Sequence, residues 1–229
     1  MRYCIADIHG HYTEFMRLLE RIKFNSNDEL YILGDLCDRG TENLEVLEYV
    51  MNNRDNVFCI KGNHDEYIEY WFSQSLDCYK HWSSRSVGKT TFEQLKNLSR
   101  EKKLEILQFL KEMPYYRILG NTVLVHGGIF TRAIDVSKYS VDNIELLMQQ
   151  IPTDDMVWAR PNEPWLGYNQ APEGVKFIVG HTPTTYLKGI DRVLVGSNTT
   201  FIDCGGAYGY NLACLCLDTD EIWYEKCSI

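Results

Sequence analysis

The chain has 229 residues, of which 45% are hydrophobic and 24% are charged. These proportions are ordinary for a globular protein, and the length allows one well-buried core, so we expect a single domain over residues 1–229. The 32 acidic residues outnumber the 23 basic residues and give a formal net charge of −9. This charge argues against nucleic acid as a partner, because nucleic-acid interfaces usually carry a basic face.

The sequence carries no signal for a membrane or for export. No apolar run approaches the roughly 20 residues that a membrane-spanning helix needs, and Met1 leads directly into a strand-like segment, so we expect neither a secretory leader nor a membrane partner. Eight cysteines occur without a CxxC pair. Reduced, buried thiols and a cytoplasmic location are therefore expected. Cys37, which lies between two acidic residues, is interpreted as a packed thiol, with redox control as the alternative.

The first third of the chain alternates predicted strands and helices. Strands are predicted from Arg2 to Ala6, from Glu29 to Leu33 and from Asn56 to Lys61. Apolar residues at helical spacing predict one helix with Thr13 as its N-cap and another that begins near Glu42. This βαβαβ order indicates parallel strands joined by right-handed crossovers.

The remainder of the chain changes from a helical pattern to a mostly extended one. The segment from residue 67 to 113 reads as a helical insert that ends before Pro114, and Gly120-Asn121 predicts a hairpin turn between two strands. Further strands are predicted at Val175–Val179, Thr199–Asp203, Leu212–Leu217 and Glu221–Tyr224. We therefore expect a second sheet that packs on the first.

Four of the six histidines lie in short motifs that also contain Asp, Asn, Arg and Gly. In chain order the motifs are Asp7-Ile8-His9-Gly10, Gly34-Asp35-Leu36-Cys37-Asp38-Arg39-Gly40, Gly62-Asn63-His64-Asp65, Val125-His126-Gly127-Gly128 and Gly180-His181-Thr182-Pro183. The first three follow predicted parallel strands, whose carboxyl ends meet at one edge of a sheet. Oxygen and imidazole ligands without thiolate suit a pair of divalent first-row metals. The sequence therefore predicts one metal centre built from separate segments.

This ordered set of motifs resembles that of the metallophosphoesterases, and more closely the branch that contains the small bacterial and phage serine/threonine phosphatases. The resemblance spans nearly the whole chain and implies an α/β fold, a four-layer α/β/β/α sandwich with two packed mixed sheets. It also implies two divalent ions, with manganese expected and iron or zinc as alternatives. The resemblance assigns one ion to Asp7, His9 and Asp35, and the other to Asp35, Asn63, His126 and His181.

The resemblance also implies roles for residues beside the ligands. A hydroxide shared by the two ions would attack phosphorus directly, while His64 acts as general acid and Asp38 holds its ring. Arg39 would clamp the phosphate group, because a guanidinium offers two parallel donors. Arg160, which lies in a Trp-x-Arg stretch, is the expected second clamp, and Arg132 is the alternative.

The substrate is predicted less sharply than the chemistry. The leading expectation is a serine/threonine protein phosphatase or broad phosphomonoesterase that acts on a phosphoprotein or small phosphoester. However, Asp65 stands where the protein phosphatases usually have Glu, and Ala6 stands where a Gly commonly precedes the first metal ligand. The same Gly-Asn-His-Asp occurs in relatives that cleave symmetric diadenosine tetraphosphate, which is therefore the alternative substrate. A non-catalytic phosphopeptide-binding protein is a third hypothesis.

Overall fold

The computed structural model describes residues 1–73, 82–83, 86–161 and 167–228. The strands within them are β1 (Arg2–Ile5), β2 (Glu29–Ile32), β3 (Val57–Cys59), β4 (Tyr116–Leu119), β5 (Thr122–Val125), β6 (Lys176–Val179), β7 (Leu194–Val195), β8 (Thr199–Phe201), β9 (Asn211–Cys216) and β10 (Ile222–Lys226). The α-helices are α1 (Tyr12–Arg21), α2 (Asn43–Asn52), α3 (Asn63–Ser73), α4 (Ser86–Leu95), α5 (Arg100–Glu112), α6 (Ile144–Met148), α7 (Thr153–Trp158) and α8 (Thr184–Lys188). None of the described helices is long and apolar enough to span a bilayer.

The strands form two mixed sheets of five strands each. The first sheet has the order β10-β9-β1-β2-β3, in which β1, β2 and β3 are parallel and β9 and β10 are antiparallel to their neighbours. The second has the order β4-β5-β6-β8-β7, in which β5, β6 and β8 are parallel. The predicted hairpin joins β4 to β5.

Alternate residues of each strand point to opposite faces of its sheet and so separate the core into layers. In β2, Ile32 packs among the buried residues of α1 and α2, whereas Tyr31 faces the second sheet and packs in one cluster with Ile178. Next to Ile178, Phe177 points the other way and packs with α6 and α7. Helices therefore cover the outer faces of two packed sheets, which confirms the four-layer α/β/β/α sandwich.

One local prediction was wrong, and one short strand was missed. Thr13 is not the N-cap of α1, because the helix already begins after His11. The backbone N–H and the hydroxyl of Thr13 instead donate to the carboxylate of Glu42, which is the N-cap of α2. The short strand β7 was not predicted, since two residues carry no periodic pattern.

The predicted insert at 67–113 is helical over most of its described residues, except for the turn at 96–99 and Met113. It contains the end of α3, all of α4 and α5, and the isolated pair Trp82 and Ser83. The rest of the prediction, at 74–81 and 84–85, lies outside the described residues. Its status as an insert within a single domain stays a prediction.

The two sheets bring their carboxyl ends to one place. The loops after β1, β2 and β3 lie at this edge, and so do the loops after β5 and β6, which begin at His126 and Gly180. The backbone N–H of Gly180 donates to the carbonyl of His126, which ties the last two loops together. Five segments that are far apart in sequence therefore converge.

Gly34 provides a test of how tightly these loops are packed. Its φ is +81°, and a Cβ added there would lie 2.6 Å from the Cα of Gly62. Gly120 has a similar φ of +63°, but no described atom lies within 4 Å of its added Cβ. We expect Gly34→Ala to lower the free energy of unfolding by at least about 3 kcal/mol and Gly120→Ala by about 1 kcal/mol, measured by urea denaturation with a chelator present. Equal losses would contradict the close approach of the two loops.

Candidate metal centre

The predicted site residues stand on strained backbone. Nine non-glycine residues of the described chain have positive φ, and six of them are predicted site residues. These six are Asp7 (55°), His9 (48°), Asp35 (55°), Asp38 (79°), Arg39 (66°) and His181 (63°). A left-handed backbone is unfavourable for residues with a side chain, by about 1–2 kcal/mol each. Left-handed backbone at this site is therefore not confined to the glycines of the motifs, such as Gly10 and Gly34.

The Asp35 carboxylate lies at the centre of the site. Its Oδ2 is 3.4 Å from His9 Nε2, and its Oδ1 is 3.4 Å from His126 Nε2. Two groups of potential ligand atoms, each within 4.8 Å of one another, share this residue: His9, Asp35 and His64 form one, and Asp35, His126 and His181 form the other. Asp35 thus belongs to both groups, as a bridging carboxylate would, although the first group contains His64 where the prediction had Asp7.

Hydrogen bonds orient the imidazole rings toward this carboxylate. His9 Nδ1 donates to the carbonyl of Cys37 at 2.7 Å, and His126 Nδ1 donates to that of Leu33 at 2.6 Å. Each ring therefore directs Nε2 at the centre, as metal-binding histidines do. His181 Nε2 is buried without a hydrogen-bond partner among the described residues. A buried, unpartnered nitrogen beside carboxylates fits a divalent cation, since burial without a partner is otherwise unfavourable.

Asp7 and Asn63 complete the predicted ligand set. The Asp7 carboxylate accepts the backbone N–H of His181 at 3.0 Å, and Asp7 Oδ1 lies 4.0 Å from His9 Nε2. Asn63 Oδ1 is 3.1 Å from His126 Nε2. The structure thus brings all six predicted ligands together, while their division between two ions stays a prediction.

The electrostatics of the centre favour a cation. Burial alone would raise the pKa of Asp35, but the imidazoles of His126 and His64 hold that pKa well below its usual range. Burial would lower the pKa of His126, but the Asp35 carboxylate raises it to about 10. Burial, followed by the Asp203 carboxyl, raises the pKa of Asp7 well above its ordinary value. Buried acidic groups this close together need positive charge from protons or from metal ions.

The predicted general acid and its partner form a buried pair. His64 Nδ1 donates to Asp38 Oδ2 at 2.6 Å. The opposite ring nitrogen, Nε2, lies 4.0 Å from Asp35 Oδ2 and so faces the centre. The backbone N–H of His64 also donates to Asp35 Oδ1. The ring is therefore fixed at Nδ1 while Nε2 points into the centre, and its role as general acid stays a prediction.

The predicted phosphate clamps differ in position. Arg39 lies at the centre, where Nη2 is 3.2 Å from His64 Nε2. Arg160 lies at the rim, with Nη1 3.4 Å from the carbonyl of His181. The competing candidate, Arg132, instead pairs with Asp155 at 3.1 Å. Arg39 and Arg160 both line a cavity of about 390 Å³ that also contains Asp35, Asn63, His64 and His181.

Sequence reasoning missed a supporting role for Asp65. Its carboxylate accepts backbone N–H groups from Asp35 at 2.9 Å, Leu36 at 3.1 Å and Gly62 at 2.8 Å. These bonds hold the loop after β2 against the loop after β3. The position of Asp65 directly after the third motif was the available signal, but it was used only to judge the substrate.

Comparison with known proteins agrees with the geometry of the centre. Residues 3–214 match the sequence model of the calcineurin-like phosphoesterases, the Metallophos family. The chain belongs to this family. The family is one of phosphoesterases, and the clustered histidine and aspartate side chains of this chain fit the divalent metals that the family implies.

Curated relatives of this metallophosphoesterase match only part of it and are themselves longer. A symmetrical bis(5'-nucleosyl)-tetraphosphatase from Buchnera aphidicola subsp. Baizongia pistaciae is 31% identical over 132 residues. The matched region covers 56% of this chain and 44% of the relative. The chain thus matches less than half the length of that enzyme.

Solved structures share the fold at low identity. A protein provisionally assigned as a diadenosine tetraphosphatase superposes with a TM-score of 0.70 at 15% identity, covering 99% of this chain and 93% of its own. A protein serine/threonine phosphatase from Saccharomyces cerevisiae has a TM-score of 0.60 at 13% identity, covering 100% of this chain and 80% of its own. At these identities the likeness concerns the fold.

Replacing Asp35 tests the bridging arrangement. We expect Asp35→Asn to lose most of both metal equivalents, because a neutral amide cannot balance two divalent charges. Metal content per chain should be measured by plasma mass spectrometry after dialysis. Asp155→Asn, which removes a carboxylate that pairs with Arg132, is the matched control and should keep its metals. Full metal content in the Asp35 variant would rule out the bridge.

Proposed function

We propose that this metallophosphoesterase hydrolyses dinucleoside polyphosphates, cleaving a dinucleoside tetraphosphate symmetrically into two nucleoside diphosphates. The sequence favoured a phosphoprotein substrate, with diadenosine tetraphosphate as the alternative. The curated relatives, which are symmetrical bis(5'-nucleosyl)-tetraphosphatases, support the alternative better. We carry their activity to this chain as a proposal because the match covers less than half of their length.

The observation that carries this proposal is an aromatic wall beside the metal centre, formed by Trp158 and Tyr67. Both side chains line the cavity. Trp158 is 44% exposed, although its indole stands perpendicular to the His181 ring with 5.8 Å between centroids. Tyr67 lies 6.1 Å from Trp158 and 5.9 Å from His64. Such a wall suits a nucleobase, because stacking on an aromatic side chain is favourable for any base.

Charge in the cavity suits the polyphosphate between the two nucleosides. Arg39 and Arg160 line the same cavity as the aromatic wall, and Arg160 follows Trp158 by two residues. A base stacked on Trp158 would therefore place its phosphate chain between the two guanidinium groups and the metal ligands. Guanidinium groups recognise phosphate oxygens through paired donors.

The proposed reaction is hydrolysis of the central phosphoanhydride bond, which transfers one nucleoside diphosphate group to water. Divalent ions held by the six ligands would polarise the phosphoryl oxygens and make a water molecule acidic enough to attack near neutral pH. The water gives a proton to solvent, its oxygen forms a bond to one of the two inner phosphorus atoms, and the central phosphoanhydride P–O bond breaks with its electron pair on the leaving oxygen. His64 Nε2 gives its proton to that oxygen, while Asp38 holds Nδ1. Arg39 stabilises the charge that develops on the transferred group.

Two finer points complete the proposal. Manganese or iron is the proposed native metal, with zinc as the alternative, since the ligands are oxygen and nitrogen without thiolate. The cytoplasm is the proposed location. The seven described cysteines are free and buried, as suits a reducing compartment.

The direct test compares two substrates with manganese present. Turnover of diadenosine tetraphosphate should exceed that of a phosphothreonine peptide by at least about tenfold in kcat/KM, with ADP as the sole nucleotide product on chromatography. AMP and ATP as products would contradict symmetrical cleavage. Faster peptide hydrolysis would support the protein phosphatase hypothesis, and inactivity with metals bound would support the non-catalytic one.

Replacing Trp158 tests the aromatic wall separately. We expect Trp158→Ala to raise KM for diadenosine tetraphosphate by about tenfold, because base stacking contributes roughly 1–3 kcal/mol. The KM for 4-nitrophenyl phosphate, which has no nucleobase, should change by less than about twofold in the same variant. A parallel rise for both substrates would show that Trp158 supports the metal centre and does not bind a base.

A further inference from the structure

The segment that contains Trp82 and α4 is hydrogen-bonded to the loop of residues 37–43, named here the Asp38 loop. The hydroxyl of Thr91 donates to Asp38 Oδ1 at 2.5 Å, and the indole Nε1 of Trp82 donates to Asp38 Oδ2 at 2.6 Å. The backbone N–H of Asp38 donates in return to the Thr91 hydroxyl at 3.0 Å. Trp82 and Thr91, which lie 44 and 53 residues after Asp38, thus both donate to its carboxylate.

These donors leave the Asp38 carboxylate little freedom to rotate. Asp38 is fully buried, at 0% exposure, and its Oδ2 also accepts Nδ1–H of His64. Because donors hold both oxygens, rotation about the Cβ–Cγ bond would break hydrogen bonds to a buried charge, which are among the strongest in proteins. Oδ2 is therefore kept on the His64 side.

Trp82 is itself held in place. It is 4% exposed and packs over Gly88, where an added Cβ would lie 2.5 Å from the indole Cδ1. A side chain at position 88 would push the indole away from Asp38. Trp71 of α3 lies 6.0 Å from Trp82 on another side. These contacts fix the position of the indole, whose Nε1–H points at the Asp38 carboxylate.

Hydrogen bonds from two further backbone N–H groups of the Asp38 loop also connect it to α4. The N–H of Arg39 donates to the carbonyl of Val87 at 2.9 Å, and the N–H of Asn43 donates to Gln94 Oε1 at 3.2 Å. Asp38 and Arg39 both have left-handed backbone, with φ of 79° and 66°. Strained residues persist only where surrounding contacts fix them, and here α4 provides several of those contacts.

We propose that Trp82 and Thr91 are positioning residues that hold Asp38 so that His64 is aligned to protonate the leaving group. This inference rests on the general-acid role given to His64 under the proposed function. The two side chains do not touch the reacting atoms and act through Asp38. The segment around α4 therefore both lines the cavity and positions Asp38 for catalysis.

The test uses two esters that differ in their need for an acid. Phenyl phosphate has a poor leaving group, whereas 4-nitrophenyl phosphate has a good one. For Thr91→Val and Trp82→Phe we expect kcat to fall by about tenfold or more on phenyl phosphate and by less than about threefold on 4-nitrophenyl phosphate, with metal content unchanged. An equal loss on both esters would overturn the proposal.

Two companion variants separate positioning from general support of the fold. Thr91→Ser keeps the hydroxyl and should restore kcat on phenyl phosphate to within about threefold of the parent enzyme. Thr90→Val removes a hydroxyl one residue earlier, about 100° around the helix, and should leave the ratio of the two rates unchanged. A changed ratio in Thr90→Val, or no recovery in Thr91→Ser, would count against a specific bond to Asp38.

A double-variant cycle with His64→Asn tests whether the Thr91 hydroxyl acts through His64. In that background Thr91→Val should reduce kcat on phenyl phosphate by less than about twofold, because the hydroxyl acts through His64. A full additional loss would overturn the inference. If His64→Asn itself slows both esters equally, the general-acid role fails. If His64→Asn discriminates between the esters and Thr91→Val does not, only the positioning role fails.

Discussion

The structure depends on one buried carboxylate, that of Asp35, which lies next to histidine side chains from both sheets. His9 reaches it from the loop after β1 and His126 from the loop after β5, each at 3.4 Å. This convergence requires the two sheets to pack with their carboxyl ends at one edge. The geometry of the metal centre therefore depends on how the apolar layer between the two sheets packs.

Hydrogen bonds to backbone groups compensate for the strain at this edge. Left-handed conformations at six site residues are unfavourable by about 1–2 kcal/mol each. Asp65 opposes that strain by binding three backbone N–H groups, and Asp7 does so by accepting the N–H of His181. Carboxylates thus serve two purposes here, as candidate ligands and as anchors for turns. These hydrogen bonds hold the left-handed backbone that directs the candidate ligands at one another.

The residues of the candidate site could be predicted from the sequence, whereas the residues that hold them in place could not. The candidate metal ligands, which the structure brings together, could be named from the sequence because metal binding restricts residue type and because these residues directly follow strands. Trp82 and Thr91 were not assigned roles, since their bonds to Asp38 span 44 and 53 residues and leave no periodic trace in the sequence. The same reason explains Thr13, whose partner Glu42 lies on another helix. Tertiary hydrogen bonds made by polar side chains are the part that local patterns do not encode.

The bond between Asp7 and His181 joins residues 174 positions apart, from the first and last of the five motifs. During synthesis, Asp7, Asp35 and the amino-terminal strands emerge before His126 and His181. The six candidate ligands therefore cannot all come together until His181 has been translated. A product that ended before His126 would keep the carboxylates of Asp7 and Asp35 without two of the imidazoles that lie beside them.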